Sequence, residues 1–227
     1  MLEHSAFFGV FISLFCYFLG DLLYKKYRLA ILNPLLIATA AIILVLSVAH
    51  IDYNVYYESA HFINFFLTPV TVCLAVPLYE SMELLKKNKK ALALGIASGV
   101  LTTLLSVLAM AVLFGLSHKE YITFLPKSIT SAIGMDVSQE LGGYAGLTVA
   151  IIIITGVIGN VCTPYLCRLF HLTHPIAKGV AIGSSSHAFG TVKAMEMGAV
   201  EGAISSLSIV VAGLMTVIGA SVFAQFL

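Results

Sequence analysis

The sequence predicts an all-α, multi-pass membrane protein with about seven to eight membrane segments. Hydrophobic residues make up 59% of its 227 residues and charged residues only 10%, whereas a typical globular domain is about 25% charged. The apolar residues also form runs close to the ~20 needed to cross a bilayer. Such runs lie at about 6–23, 29–49, 91–116, 145–167 and 203–226, and two more, near 61–80 and 175–198, are interrupted by polar residues.

The first run is expected to be a retained span in the cell membrane. No basic residue precedes it, and no small-residue cleavage site separates it from Lys25 and Lys26, so it lacks the marks of a secretory signal. Basic turns at 25–28 and 86–90 flank a loop at 50–59 that contains no lysine or arginine. The positive-inside rule therefore puts both turns in the cytoplasm and the N-terminus outside, while isolated charges leave the orientation of the second half open.

A faint internal similarity predicts two structural repeats within a single membrane domain, 1–227. Short polar turns precede both Asn33-Pro34 and His174-Pro175, and an interrupted helix and a long span follow each dipeptide. The two halves would cover 1–116 and 145–227, and an inverted relation between them is favoured over a parallel one.

The segment that joins these halves, 117–144, is predicted to be a half-helix or a re-entrant piece. Pro126 and Ser128 are start signals for a short helix, and Gly142-Gly143 would end it. Such a helix is too short for a full crossing.

Three interrupted segments carry the polar residues of interest, and the first lies at 64–79. Pro69 and Pro77 each remove a backbone donor, so carbonyl groups one turn earlier need other partners. Thr68 and Thr71 are placed to supply them and are candidate substrate-binding residues. The alternative is a proline-kinked helix that serves packing alone.

The second interrupted segment opens with Lys127, Ser128 and Thr130. Free backbone N–H groups at a helix start, hydroxyl donors and a cation together form the makeup of an anion site. The alternative is an interfacial helix cap whose lysine reaches towards the membrane surface.

The third interrupted segment, 178–198, gathers the largest set of polar groups in an apolar setting. Its candidate binding residues are Ser184, Ser185, Ser186, His187, Thr191 and Lys193. Gly183 and Gly190 are expected to open the helix there, and the serines are expected to cap the helix that follows. Glu196, one turn beyond Lys193, can pair with that lysine and reduce the cost of burying it. The alternative for His187 is a packed, structural histidine.

No pattern typical of an enzyme, a metal centre or a cofactor site is present. Ser186 and His187 are adjacent, so on a helix their side chains point about 100° apart, and no orienting acid is evident. The four cysteines lack zinc-binding spacing and are expected to be small buried residues. The net charge of +1, with no basic stripe, gives no indication of a nucleic-acid partner.

Taken together, these segments resemble the LrgB/CidB family of integral membrane proteins over nearly the whole chain. The matching stretches are 33–36, 68–79, 125–130, 183–193 and 201–207. The family typically has Gly-Thr-Ala-Ser-His where this chain reads Gly-Ser-Ser-Ser-His at 183–187, proline at Ala132 and arginine at Lys193. Lysine cannot offer the bidentate fork of arginine, so a carboxylate would be held differently there.

The resemblance implies two functions. Bacterial members are described as holin-like or antiholin-like modulators of murein hydrolase export and autolysis, usually beside a small LrgA/CidA-type membrane partner. Related proteins, including a plastid glycolate/glycerate translocator, transport small carboxylates, and some bacterial relatives are linked to pyruvate. The polar helix breaks favour a secondary transporter, with the carboxylate between 128–130 and 184–187 and with Lys127 or Lys193 compensating its charge.

In this hypothesis His187 carries a coupled proton, because its ordinary pKa of about 6.5 is within reach of cellular pH. We also expect the chain to form a homo-oligomer. The competing hypothesis is a modulator of autolysis without a substrate of its own, whose serines and glycines serve as helix–helix contacts.

Overall fold

The computed structural model describes residues 7–27, 32, 34–66, 69, 72–73, 76, 79 and 82–227. Within these ranges the chain is helical and contains no strand, which confirms the predicted all-α class. The chain forms two compact units, Met1–Cys73 and Leu74–Leu227.

The described part of the first unit contains three helices, α1 (Phe8–Tyr27), α2 (Pro34–Val48) and α3 (Tyr53–Phe65). Glycines allow the close approach of α1 to its neighbours. A Cβ atom on Gly9 would lie 2.5 Å from the backbone nitrogen of Ala60, and one on Gly20 would lie 2.7 Å from the carbonyl oxygen of Pro34. The backbone N–H of Gly9 also donates to Ser59 Oγ at 2.7 Å, which ties α1 to α3.

The second unit contains the remaining described helices. These are α4 (Met82–Lys87), α5 (Lys89–Phe114), α6 (His118–Phe124), α7 (Ser131–Glu140), α8 (Ala145–Leu169), α9 (Pro175–Met197) and α10 (Ala199–Phe223). α5 and α10 run parallel, since Leu92 and Ile204 near their starts belong to one buried cluster and Leu104 lies against Gly219 further along. Ala111 and Ala220, near the ends of these two helices, share one buried core cluster with Tyr121.

Four described helices are long and apolar enough to cross a membrane: α1, α5, α8 and α10. They correspond to four of the predicted runs, 6–23, 91–116, 145–167 and 203–226. The run at 29–49 corresponds to α2, a shorter apolar helix. The chain is therefore a multi-pass membrane protein. The total of seven to eight segments, the repeat halves and the outside position of the N-terminus stay predictions.

The helix α9 does not cross the molecule but reverses at His187. Before the reversal, Gly179 faces Ile204 and Gly183 faces Ser208, so this limb runs parallel to α10. After it, Thr191 bonds to Ser205 and Met195 lies against Gly202, so the second limb runs back along the same stretch of α10. We call the two limbs of α9 the second hairpin. Each limb is at most about 18 Å long, roughly half of a bilayer core.

Helices α6 and α7 form a similar structure, which we call the first hairpin. The hydroxyl of Thr123 in α6 accepts from the backbone N–H of Tyr144 at 2.9 Å. A Cβ on Gly134 in α7 would lie 3.3 Å from the carbonyl oxygen of Pro126. Tyr121 donates to the carbonyl of Phe223 at 2.9 Å, which places the open end of this hairpin at the C-terminal end of α10.

The start of the short helix was predicted at Pro126 or Ser128, and this prediction is wrong. Residues 125–129 form turns that continue from α6, because the N–H of Lys127 bonds to Phe124 and that of Ile129 bonds to Pro126. The next helix begins only at Ser131, after the extended backbone of Thr130 at φ −64° and ψ 146°. The predicted end is confirmed, since α7 stops at Glu140 and Gly142 adopts φ +90°.

The two hairpins approach each other from opposite ends of the unit. α8 begins beside the first hairpin, where Thr148 donates to the carbonyl of Thr123 at 3.0 Å. It then passes the reversal of the second hairpin, where Gly159 packs against Ser186. The segment α5–α7 and the segment α8–α9 thus each combine one long helix with one hairpin, in opposite orientations. The bounds of these two segments differ from those of the predicted halves, 1–116 and 145–227.

A capping box at the start of α6 gives a test of this fold. Ser117 and Glu120 bond to each other reciprocally, with the N–H of Ser117 donating to Glu120 Oε2 at 2.8 Å. Hydrogen bonds from the Ser117 side chain and backbone hold the pKa of Glu120 below its ordinary value of 4.5. This stabilisation is therefore complete above pH 4.5 and is lost as the pH falls through the lowered pKa.

We expect Glu120→Gln to lower the melting temperature in detergent by a constant amount at pH 5 to 7. The difference in melting temperature between the variant and the wild type should become smaller below pH 4.5, where the carboxylate becomes protonated. Ser117→Ala removes the side-chain hydrogen bond but keeps the backbone N–H donor, so in that background Glu120→Gln should produce a smaller pH-dependent difference in melting temperature. A gap of equal size at all pH values would contradict the role of the carboxylate.

Candidate functional site

The reversal at His187 is an unusual backbone feature among the described residues. His187 adopts φ 40° and ψ −135°, a region that side chains other than glycine rarely occupy. Its imidazole is buried and its Nε2 lies 3.0 Å from the carbonyl oxygen of Ile152 in α8. A carbonyl can only accept, so Nε2 carries the hydrogen and donates it. Nδ1 is then the nitrogen that could accept a proton.

Hydroxyl and amide groups complete the hydrogen bonding around this reversal. Thr191 donates to the carbonyl of His187 at 2.9 Å, and Ser205 of α10 lies 2.7 Å from the same hydroxyl, to which it donates. Asn160 of α8 donates from Nδ2 to the carbonyl of Phe189 at 2.7 Å. Carbonyl groups near the bend are thus satisfied by one side chain from α8 and one from the second limb of α9.

The three serines before His187 do not cap the second limb, contrary to expectation. Ser184 donates to the carbonyl of Val180 at 2.7 Å, and Ser185 donates to that of Ala181 at 2.6 Å. Ser186 lies 3.1 Å from the hydroxyl of Ser185. The first limb stays helical up to the reversal, so carbonyls one turn earlier are the nearest acceptors.

The expected opening of the helix at Gly183 and Gly190 is also wrong. A Cβ on Gly183 would lie 2.7 Å from Ser208 Cβ, and one on Gly190 would lie 2.8 Å from Ile182 Cγ2. Both glycines therefore allow close packing, against α10 and against the first limb respectively. The break itself falls on His187.

A stripe of glycines on α8 receives the reversal. A Cβ on Gly156 would lie 2.6 Å from Cε1 of His187, and one on Gly159 would lie 2.5 Å from Cβ of Ser186. Gly99 of α5 similarly leaves room for Ser184, whose Oγ would lie 2.8 Å from an added Cβ. The second hairpin is thus held between helices through small residues.

The bend of the first hairpin brings a lysine towards the same region. Lys127 Nζ donates to Ser128 Oγ at 3.2 Å. Gly134, close to this bend, packs against the side chain of Ile152, the residue that accepts from His187. Thr130 is the N-cap residue of α7, and its side chain makes no capping bond. The bend of the first hairpin and His187 are thus connected through Ile152, although they are far apart in sequence.

The other predicted site residues stand apart from this group or outside the described structure. Lys193 pairs with Glu196 at 2.7 Å, which confirms the predicted pair. It lies in the second limb, six residues beyond the reversal. Thr68 and Thr71 lie outside the described residues. A role in substrate binding stays a prediction for every residue proposed above.

Sequence reasoning missed Asn160, Ser205 and the ion pair between Lys178 and Glu201. The two charged groups of that pair are 3.9 Å apart, and Glu201 is buried. A polar amide in an apolar run, four residues before Pro164, was a signal for Asn160. The described residues hold no cluster of metal-binding side chains.

Two cavities adjoin the hairpins. One, of ≈ 590 Å³, lies between α5 and α9, with Asn88 and His174 at their starts and Ser184 among its lining residues. The other, of ≈ 330 Å³, lies between α5 and α6 and is lined almost wholly by apolar side chains, with Lys127 as its charged residue.

Comparisons with known proteins agree on one family. The model of the LrgB-like family matches residues 13–226. The holin-like protein CidB of Staphylococcus aureus is 39% identical over 206 residues, which cover 91% of this chain and 90% of that protein. The antiholin-like protein LrgB of Bacillus cereus is 32% identical over 224 residues, which cover 98% of this chain and 97% of that protein. No solved structure matches.

Glycines on α8 provide a matched test of the packing around His187. We expect Gly156→Ala to destabilise the protein by about 1–3 kcal/mol, because the added methyl group must displace the buried imidazole and the ring of Phe189. Gly146→Ala in the same helix meets nothing within 4 Å and should be neutral or stabilising by up to ~1 kcal/mol. Thermal unfolding in detergent measures both, and equal effects would contradict this packing.

Proposed function

The chain belongs to the LrgB-like family, and we propose that it acts as a holin-like or antiholin-like membrane protein that modulates murein hydrolase export and autolysis. The names of its relatives support this role, since the matches at 39% and 32% identity span about nine-tenths or more of both chains. The proposed setting is the cell membrane, with a small LrgA/CidA-type partner and a homo-oligomeric assembly.

The observation that carries this proposal is the packing of the second hairpin. Ser186 and His187 are buried against Gly159 and Gly156, and nearby hydroxyls bond to carbonyl groups. Small residues and hydroxyls at helix contacts stabilise membrane assemblies through close approach. A modulator needs such surfaces to change shape with a partner, and it needs no ligand.

A second candidate function is the transport of a small carboxylate such as pyruvate or glycolate. It is favoured by the opposed hairpins, whose bends place the start of α7 and the start of the second limb of α9 within the unit. Helix starts attract anions, and broken helices of this kind form binding sites in transporters. Ser128 and Thr130 would offer hydrogen bonds, and Lys127 would compensate the charge.

In this second candidate the proton would be carried by His187. Its Nε2 donates to Ile152, so Nδ1 would take up the proton when the carboxylate binds. The substrate would have to replace the present hydrogen-bond partners of Ser184, Ser185 and Ser186. It would also have to replace Glu196 as the partner of Lys193. The hydroxyls of Thr68 and Thr71 would complete the set of substrate-binding groups.

The modulator role predicts a phenotype that depends on packing. We expect expression in a bacterium that lacks its own relative to change the rate of detergent-induced lysis and the extracellular murein hydrolase activity seen on gels. Gly159→Leu should abolish the change, because the side chain of Ser186 occupies that space. Gly146→Ala, with matched expression, should preserve it. A full effect from Gly159→Leu protein would contradict the proposal.

The transport role predicts a phenotype that depends on charge. Proteoliposomes that contain the purified chain, with or without its small partner, should take up labelled pyruvate or glycolate across an imposed pH gradient. We expect Lys127→Gln to reduce uptake at least about tenfold, since an anion would lose its counter-charge. Lys119→Gln, which removes an exposed lysine of the same hairpin, is the control. Absence of uptake in every preparation would exclude this candidate, whereas the lysis phenotype would stand.

A further inference from the structure

We propose that the ≈ 590 Å³ cavity between α5 and α9 is a binding site for an anionic phospholipid. One acyl chain lies in the cavity, which we call the α5–α9 groove, and the phosphate binds at its mouth, the end that Asn88 and His174 line. This inference goes beyond both candidate functions and depends on neither, because lipid binding is measured without lysis or uptake.

The walls of the α5–α9 groove are built from small side chains. Ala91 lines it from α5, and Ala177 and Ala181 line it from α9. All three are exposed, so the groove is open at its rim. The two helices meet at its floor, where a Cβ on Gly95 would lie 3.1 Å from Val180 Cγ1. The groove is therefore a cleft that is closed below and open along one side.

The hydroxyl groups of these walls are already hydrogen-bonded within their own helices. Ser98 donates to the carbonyl of Gly95 at 2.8 Å, and Ser184 donates to that of Val180 at 2.7 Å. A polar ligand in the groove would lose its bonds to water without gaining equivalent partners. A hydrocarbon chain has no such bonds to lose, and it gains by burial. The walls therefore favour an alkyl chain.

The groove has the depth of one leaflet of a bilayer. Its lining residues run from Asn88 to Gly99 on α5 and from His174 to Ser184 on α9, which is about 15–17 Å at 1.5 Å per residue. Half of the ~30 Å hydrocarbon core of a bilayer is about 15 Å. The groove thus ends near the reversal at His187, at the depth where the acyl chains of one leaflet also end.

The mouth of the groove lies within a basic run. Asn88, which lines the mouth, is the central residue of Lys-Lys-Asn-Lys-Lys at 86–90, and the four lysines are exposed. The ion pairs between described residues involve other lysines. A cluster of four or more basic residues beside a membrane span is typical of a site for anionic lipid. The charge at the mouth therefore favours a phosphate.

His174 adds a hydrogen-bond donor on the α9 side of the mouth. Its Nδ1 accepts from the backbone N–H of Ile176 at 3.3 Å, so Nε2 carries the hydrogen of the neutral imidazole. The side chain is exposed. A phosphate oxygen can therefore accept from Nε2 while lysines of the run 86–90 compensate its charge.

The same charges argue against a second copy of this chain as the occupant. Two copies related by a two-fold axis along the membrane normal would place the groove, and with it the run 86–90, against its own image. The lysines of both runs would then lie close together and repel each other. A phospholipid carries both a negative charge and hydrocarbon, so it matches the mouth and the walls.

Native mass spectrometry of the full chain in a neutral detergent tests the site, with phosphatidylglycerol and phosphatidylcholine as probes. We expect phosphatidylglycerol to bind at least about tenfold more tightly. Lys89→Gln/Lys90→Gln should remove most of this preference. Lys25→Gln/Lys26→Gln, which removes two exposed lysines from the other basic turn, should keep it. Equal binding of the two lipids by the wild type, or an equal loss of preference in both double variants, would overturn the proposal.

Variants that fill the groove test the position of the acyl chain. Ala181→Phe should weaken the binding of phosphatidylglycerol at least about tenfold, because acyl methylenes lose their burial. Ser98→Leu fills the groove from the opposite wall and keeps the test independent of the folding of Ala181→Phe. Ala93→Phe, at an exposed alanine of α5 outside the groove lining, is the control. Unchanged binding by both filled variants would overturn the proposal.

Two further probes separate the acyl chain from the headgroup. Lysophosphatidylglycerol, which has one acyl chain, should still bind, and failure to bind would contradict a site for a single chain. Glycerol 3-phosphate should not displace phosphatidylglycerol, and displacement at equal concentration would overturn the lipid in favour of a soluble phosphate. The same spectra report the oligomeric state. Loss of a dimer in Ala181→Phe with unchanged lipid binding would overturn the lipid in favour of a second copy.

Discussion

When a chain turns back inside an apolar environment, its broken helix leaves backbone groups without partners, and these groups must be hydrogen-bonded in another way. The second hairpin depends on this requirement being satisfied. The carbonyl of His187 accepts a hydrogen bond from Thr191, and the carbonyl of Phe189 accepts one from Asn160. The imidazole is in turn held by the carbonyl of Ile152. α8 thus serves as the support on which the reversal is built, and a bend at His187 would be too costly without it.

The other close contacts of the unit follow from this support. The reversal can reach α8 only because Gly156 and Gly159 leave room for it, and the first limb can reach α10 only because Gly179 and Gly183 do the same. Because these contacts are between backbones and short side chains, little adjustment is possible without moving a whole limb. That property suits a protein whose function requires one hairpin to shift as a unit against its neighbours.

The long spans could be predicted from the sequence, since hydropathy over ~20 residues depends on composition alone. The polar stretch at 178–198 was also correctly identified as an interrupted helix, because polar groups in an apolar chain need a reason to be there. The position of the break was not predictable. It falls on a histidine with positive φ rather than on Gly183, and the contacts that stabilise it come from Ile152, Asn160 and Ser205, all distant in sequence. The start of α7 was misjudged for a related reason, as turns after α6 took up the N–H groups near Pro126.

The return of α9 to its starting side determines how the second unit is threaded. Of its helices, α5, α8 and α10 traverse the unit, whereas each hairpin leaves on the side where it entered, so the chain changes sides three times between 89 and 223. Lys89, Arg168 and Lys178 consequently share one face, and the positive-inside rule assigns this face to the cytoplasm. We therefore expect residues 224–227 to face the outside, on the same side as the loop at 115–117.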